Sequence, residues 1–149
     1  MIPLTNTKTV ILLRPQLKNN GAFANNTHVD TSAWKHARFK FLIGDTDAAV
    51  GSGDASTAPF IEECDTTGGT YTAVSGAALA AVISATDDNS IKGIDVSLTK
   101  THKRYMRVKA PTADNGSTGA NLAIECELSR PDRGPASAAA QGYAELVSA

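Results

Sequence analysis

The stretch Ile61–Leu79, IEECDTTGGTYTAVSGAAL, sets two glutamates side by side, then a cysteine, then a diglycine. A carboxylate dyad, a thiolate site or a phosphate cradle would each draw on such residues. The spacing supports none of them. Adjacent residues of an extended strand point to opposite faces, so Glu62 and Glu63 cannot work on one substrate together. Neither Thr66-Thr67-Gly68-Gly69 nor Gly51-Ser52-Gly53-Asp54 leads into a Lys-Ser/Thr pair or a helix, as phosphate binding would require. Ser75 precedes Gly76, but Ala73 stands where a G-x-S-x-G nucleophile turn needs glycine. His28, His36 and His102 fall in or beside different elements and none pairs with another at ligand spacing, so a Ser-His-Asp set would have to assemble in space. Asp45–Ser56, DTDAAVGSGDAS, invites a calcium-loop reading. It fails with Ala49 at the fifth place, Val50 where glycine is needed and Ser56 where a bidentate glutamate should close the site. The expectation is a chain without catalytic residues, metal or cofactor.

One basic cluster stands out. Lys100, His102, Lys103, Arg104, Arg107 and Lys109 gather around Tyr105. Three readings are open: contact with nucleic acid, a solvated strand face with its leading turn, or docking to an acidic protein surface. The whole chain speaks against a general nucleic-acid binder, because 14 Lys and Arg are balanced by 15 Asp and Glu for a net charge of -1. Trp34, the single tryptophan, is suited to be a core or interface anchor.

The elements that must carry these residues are strands. The 149 residues suit one domain. Aromatics are only 5%, so the core must be built mainly of Ile, Leu and Val. No segment approaches the roughly 20 apolar residues of a membrane span. Val10–Leu13 is too short for a signal-peptide core of roughly 7–15 residues, which suggests a chain made in the cytoplasm and not secreted by the usual route. Turn residues recur about every 8 to 15 positions, the pattern of an all-β sandwich or barrel. HARFKFLIG alternates Phe39, Phe41 and Ile43 against Arg38 and Lys40, and IKGIDVSLT alternates Ile94, Val96 and Leu98 against Asp95 and Ser97. KRYMRVKA sets Met106 and Val108 against Tyr105, Arg107 and Lys109, and ANLAIECELSRP sets Leu122, Ile124, Cys126 and Leu128 against Asn121, Ala123, Glu125 and Glu127. Such alternation marks one buried and one wet face.

Weaker strands are expected at Val10–Arg14, Thr27–Asp30, Phe60–Cys64 and Thr70–Val74, for about eight in all. Gly76–Ala85 reads either as a short helical turn or as an apolar connector. Pro15–Asn26, Gly44–Pro59 and Pro111–Gly119 read as loops. The Thr-Thr-Gly-Gly turn is expected to supply the positive φ angles of a hairpin connection. Ile61 and Glu63 are expected inward and Cys64 outward, with Cys126 in the apolar set, so the two thiols should remain unbonded. Three parts result: an N-terminal arm and loop over 1–26, a β-sandwich over 27–131 and a tail over 132–149. The apolar Ile11, Leu12 and Leu13 of the arm, and Tyr143, Leu146 and Val147 of the tail, are expected to pack on a neighbouring molecule.

The order of segments over Val29–Pro131 resembles the small tailed-phage virion proteins that decorate or cement the capsid. VDTSAW leads into a charged alternating strand, followed by a polar loop, IEECDTTGGTYTAV, YMRVKA, a turn and a strand ending in LSRP. In that family a QESDDGSTFTDV-like hairpin precedes a YVRV strand and a closing SRP; here Glu62 and Cys64 stand where Gln and Ser are usual. The resemblance implies a jelly-roll-like β-sandwich with no enzymatic activity, assembled in the host cytoplasm and resident on the outer capsid surface. Its implied partners are the major capsid protein and its own copies, as a dimer or, leaning on the family, a trimer. No nucleic acid or membrane partner is implied. Ile11, Leu12, Leu13, Trp34, Lys103, Arg104, Arg107, Tyr143 and Leu146 are the expected contact residues. The alternative reading is a carbohydrate- or receptor-binding module of a phage head or tail fibre.

Overall fold

A computed structural model describes residues 6–131 of the chain. Eleven strands follow one another: β1 (Thr7–Lys18), β2 (Gly21–Ala22), β3 (Val29–Asp30), β4 (Trp34–Thr46), β5 (Val50–Ser52), β6 (Phe60–Cys64), β7 (Thr72–Ala78), β8 (Ser90–Ser97), β9 (Tyr105–Val108), β10 (Pro111–Ala113) and β11 (Ala120–Pro131). They form a four-stranded sheet ordered β1-β11-β4-β8, a second ordered β3-β9-β6-β7, and a small sheet ordered β2-β10-β5. The pairings are antiparallel. No α-helix forms among the described residues, so none crosses a membrane. The architecture is all-β and consistent with a β-sandwich.

The four strong alternating segments are strands with the expected faces buried. Across the first sheet, Leu128, Ala37 and Val96 stand in one row, and Cys126, Phe39 and Ile94 in the next. All six are buried. The second sheet meets this core with Val29, Ile61, Met106 and Val108, none more than 2% exposed. Each large side chain so buried contributes roughly 1.5–3 kcal/mol.

Strand β1 overturns the expected N-terminal arm. Residues 7–18 pair along their length with β11, from Thr7 opposite Ser129 to Lys18 opposite Ala120. Its register shifts between Ile11 and Leu13. Such a bulge lets two successive residues lie on one side. Leu12 and Leu13 are therefore 1% and 0% exposed, while Ile11 is 59% exposed. Leu12 and Leu13 belong to the core and are not contact residues for a neighbour.

Two expected loops are revised, and one of the two readings of Gly76–Ala85 is excluded, by one cause, backbone pairing with distant segments. The expected loop 44–59 contains the end of β4 and all of β5, and the loop 111–119 begins with β10. Gly76–Ala85 makes no helical turn. Gly76–Ala78 completes β7, and buried Ile83 exchanges two 2.9 Å backbone hydrogen bonds with Val50. In the β6–β7 connection, neither Gly68 nor Gly69 has positive φ. Gly69 is needed for space instead: a Cβ there would lie 2.6 Å from both Cys64 Sγ and Thr66 Oγ1.

Candidate docking face

Of the basic cluster only Arg107 lies on β9; Lys100–Arg104 precede the strand, Lys109 follows it, and part of the cluster's charge is paired within its own sheet. Glu62 of β6 stands opposite Arg107 of β9, and Cys64 opposite Tyr105, on the outward face. Arg107 Nε donates to Glu62 Oε1 at 2.6 Å, Lys109 Nζ lies 3.8 Å from Glu62 Oε2, and the Glu62 side chain is only 4% exposed. The Arg107 guanidinium also sits 3.9 Å from the Tyr71 ring centroid, a cation–π contact. Arg104 grips Asp30 with two hydrogen bonds of 3.1 and 2.8 Å. That grip holds the Asp30 carboxyl well below the usual carboxylate range. Lys103 Nζ donates to Thr72 Oγ1 at 3.2 Å. The sequence placed Arg104 and Arg107 among the contact residues. The structure gives each an internal carboxylate partner.

The acids of the rejected calcium loop are likewise engaged. Asp47 accepts the backbone N–H groups of Ser117, Thr118 and Gly119 at 3.0, 2.8 and 2.7 Å. Asp54 accepts those of Ser56 and Thr57 at 2.8 and 2.7 Å. They fasten loops, and no group of three or more metal-ligating side chains forms among the described residues.

Cys64 faces outward, as the alternation required, but it is buried beneath the Thr66–Gly69 turn. Burial there was not legible from the alternation, because the cover comes from a turn rather than a facing sheet. Cys126 lies inward in β11 of the other sheet, and both thiols are free.

The outward face of the β1-β11-β4-β8 sheet has two halves. Toward the Trp34 end it is charged. Lys40 Nζ lies 3.3 Å from Glu125 Oε1 and 3.1 Å from Glu127 Oε2, and Arg38 holds Asp95 at 2.7 and 3.1 Å. Toward the other end it is apolar. Ala123, Leu42 and Ile91 form one cross-strand row, and Leu17 opposite Asn121 borders it. Pro15, Leu17, Leu42 and Ala123 help line a shallow recess of about 580 Å³ here. Ile11, opposite Glu125, stands where the two halves meet.

Ile11, Leu17 and Ile91 are 59%, 52% and 69% exposed, and they are the large exposed hydrophobic side chains among the described residues. All three share this one face. Single exposed apolar residues are ordinary, but their convergence on one sheet face makes it the candidate docking surface. Ile11 was an expected contact; Leu17, Leu42 and Ile91 were not. A signal for Ile91 exists in the sequence, since it is out of phase with Ile94 and Val96 in the same strand. Trp34 is half-buried at the far end of β4, opposite Pro131, and packs against the core. Tyr143 and Leu146 lie outside the described residues.

Comparison of the chain with protein-family models, with curated proteins and with solved structures finds no match.

Proposed function

We propose that this chain is a structural virion protein, a jelly-roll-like β-sandwich that docks on the outer surface of a phage capsid and stabilises it without enzymatic activity. The observation that carries the reading is the convergence of Ile11, Leu17 and Ile91 with Leu42 on one sheet face. The segment order over Val29–Pro131 supplies the partner class, the major capsid protein. A sheet face is a rigid platform, and burying its apolar half removes exposed hydrocarbon from water at about 25 cal/mol per Å². The neighbouring ladder of Lys40, Glu125, Glu127, Arg38 and Asp95 carries both signs in fixed places. Charges so arranged select register more than they add affinity.

Stabilisation then follows from linkage. A protein that binds the assembled lattice and not free subunits shifts the equilibrium toward the lattice. Repetition over the shell multiplies weak contacts through avidity. A dimer or trimer would match the axes that a capsid offers. With Leu12 and Leu13 in the core, self-association draws on the sheet face or on residues 132–149. Electron cryo-microscopy of virions that carry this chain is the test. Density for the fold on the outer shell, with β1 and β8 toward the capsid, is the expected result. Shells without it, or with the fold turned so that this face meets solvent, would overturn the reading.

A further inference from the structure

A second surface lies on the other side of β8, at the Trp34 end of the fold. Two recesses meet there across the segment Thr99–Lys103. The larger, about 630 Å³, opens between the edges of β7 and β8. The smaller, about 330 Å³, is lined by Trp34, Thr31 and Ser32 among others. Lys100 and His102 wall both. The combined space is that of an ordinary small-molecule site.

The dividing wall is clamped. Glu63 Oε2 accepts from the backbone N–H of Lys103 at 3.1 Å and lies 2.9 Å from His102 Nδ1. The Glu63 and His102 side chains are only 15% and 16% exposed. A carboxylate at Nδ1 fixes that nitrogen as the donor and orients the ring, leaving Nε2 as the nitrogen without a hydrogen-bond partner among the described residues. Lys100 is exposed and makes no ion pair among the described residues.

The charges around the recesses largely cancel. Asp95 is held by Arg38, Arg104 by Asp30, and Glu63 faces His102. Lys100 and Lys103 remain on one side and Asp65 on the other. Such a balance does not suit a polyphosphate or nucleic acid, which requires a clear basic excess. What the walls offer instead is hydroxyls: Ser75, Thr101 and Ser97, whose Oγ lies 2.8 Å from Thr99 Oγ1, in the larger recess, and Ser32 in the smaller, where Thr31 is buried with its own hydroxyl donating to the Arg104 carbonyl. Trp34 adds part of its half-buried indole to the lining of the smaller recess. Hydroxyls and paired charges beside one indole match a ligand that is polar around its edge, apolar on its faces and uncharged.

We propose that this double recess binds a short neutral oligosaccharide, with one ring against Trp34 and the chain continuing over His102 into the larger space. The proposal stands apart from the apolar half of the docking face, while Asp95 belongs both to the charged ladder and to the lining of the larger recess. The apolar row at Leu42 and the site at Trp34 are eight residues apart on β4, roughly 26 Å along the strand.

Trp34 is the chain's single tryptophan, so its emission reads the smaller recess directly. The test titrates the full chain with neutral mono- to trisaccharides of hexose and N-acetylhexosamine type, with sialyllactose and inorganic phosphate as charged comparators. A saturable change in emission with a neutral trisaccharide, tighter than with its monosaccharide, is expected. Lys100→Ala and Ser97→Ala should each weaken it about tenfold while the melting temperature holds. These exposed positions keep the test decisive if Trp34 or His102 variants fold poorly. No saturable response to any neutral sugar would overturn the proposal, as would a response only to the charged comparators or one indifferent to Lys100→Ala.

Discussion

Ile91 of β8 and Leu42 of β4 are direct cross-strand partners, and both side chains face away from the core that Ile94 and Phe41 enter. Two large aliphatic residues on a water-facing row contribute little to folding and leave about 69% of Ile91 in solvent. Substituting Ile91 by Asp should therefore leave stability within about 0.5 kcal/mol of the parent. Urea unfolding of the two proteins checks this. A loss of several kcal/mol would place Ile91 in the core of the free protein and remove it from any docking face.

Strand β1 should behave as core. Leu13→Ala is expected to cost about 2–5 kcal/mol, the range for a fully buried leucine. Deleting residues 1–14 should abolish cooperative thermal unfolding, because it strips β11 of six of its nine register pairs with β1. A truncated chain that melts like the parent would restore the arm that the sequence suggested.

That arm marks where sequence legibility ended. The strands around Phe39, Ile94, Met106 and Ile124 were readable because strict alternation reports one buried face. At Thr7–Lys18 the bulge between Ile11 and Leu13 breaks the alternation, so two buried leucines read as a short apolar run. Val50–Ser52 and Pro111–Ala113 are too short to show a period, and their pairing partners are distant in sequence. The docking face was half legible. Ile91 is out of phase with its own strand, but which residues neighbour it depends on the register of β4 and β11. The neutralisation of Arg104 and Arg107 was hidden for the same reason, since Asp30 and Glu62 lie far away in the chain.

The Glu62–Arg107 pair should be costly to break from one side. Arg107→Met leaves a carboxylate only 4% exposed with Lys109 as a distant partner, and should destabilise by about 3 kcal/mol. Adding Glu62→Gln should recover part of that loss, because the stranded charge is gone. Equal stability of the single and double variants would contradict the pairing.

Acid should unfold the protein in a defined window. Arg104, Lys92 and Arg38 side chains hold Asp30, Asp87 and Asp95 below the usual carboxylate range, and the Ser56 hydroxyl and the Gly119 N–H do so for Asp54 and Asp47. A depressed folded-state value stabilises the fold fully above the unfolded value of about 3.9, and the contribution is lost as pH falls through the lower folded value. The melting temperature should be nearly flat from about pH 7 to 5 and fall below about pH 4. A profile flat to about pH 2 would contradict it.

Both cysteines should be unbonded and shielded. Cys126 is fully buried, and desolvation pushes its thiol well above the ordinary range, so its thiolate is scarce. Alkylation of the denatured, unreduced chain should modify both cysteines, while the native chain should react slowly with a thiol reagent. An intact chain carrying an oxidised Cys64–Cys126 pair would contradict the placement of the two residues in different sheets.

Co-sedimentation of the protein with purified phage capsids from its source tests the proposed capsid docking most directly. Three proteins are compared: the parent, Ile91→Asp, and the charge reversal Lys103→Glu with Arg104→Glu. The account predicts that Ile91→Asp lowers capsid affinity at least about tenfold with an unchanged melting temperature. It also predicts that the double reversal binds nearly as the parent does, and that parent binding survives from about 0.05 to 0.5 M salt. Parent-level binding by Ile91→Asp, or loss of binding confined to the charge reversal and to high salt, would contradict it.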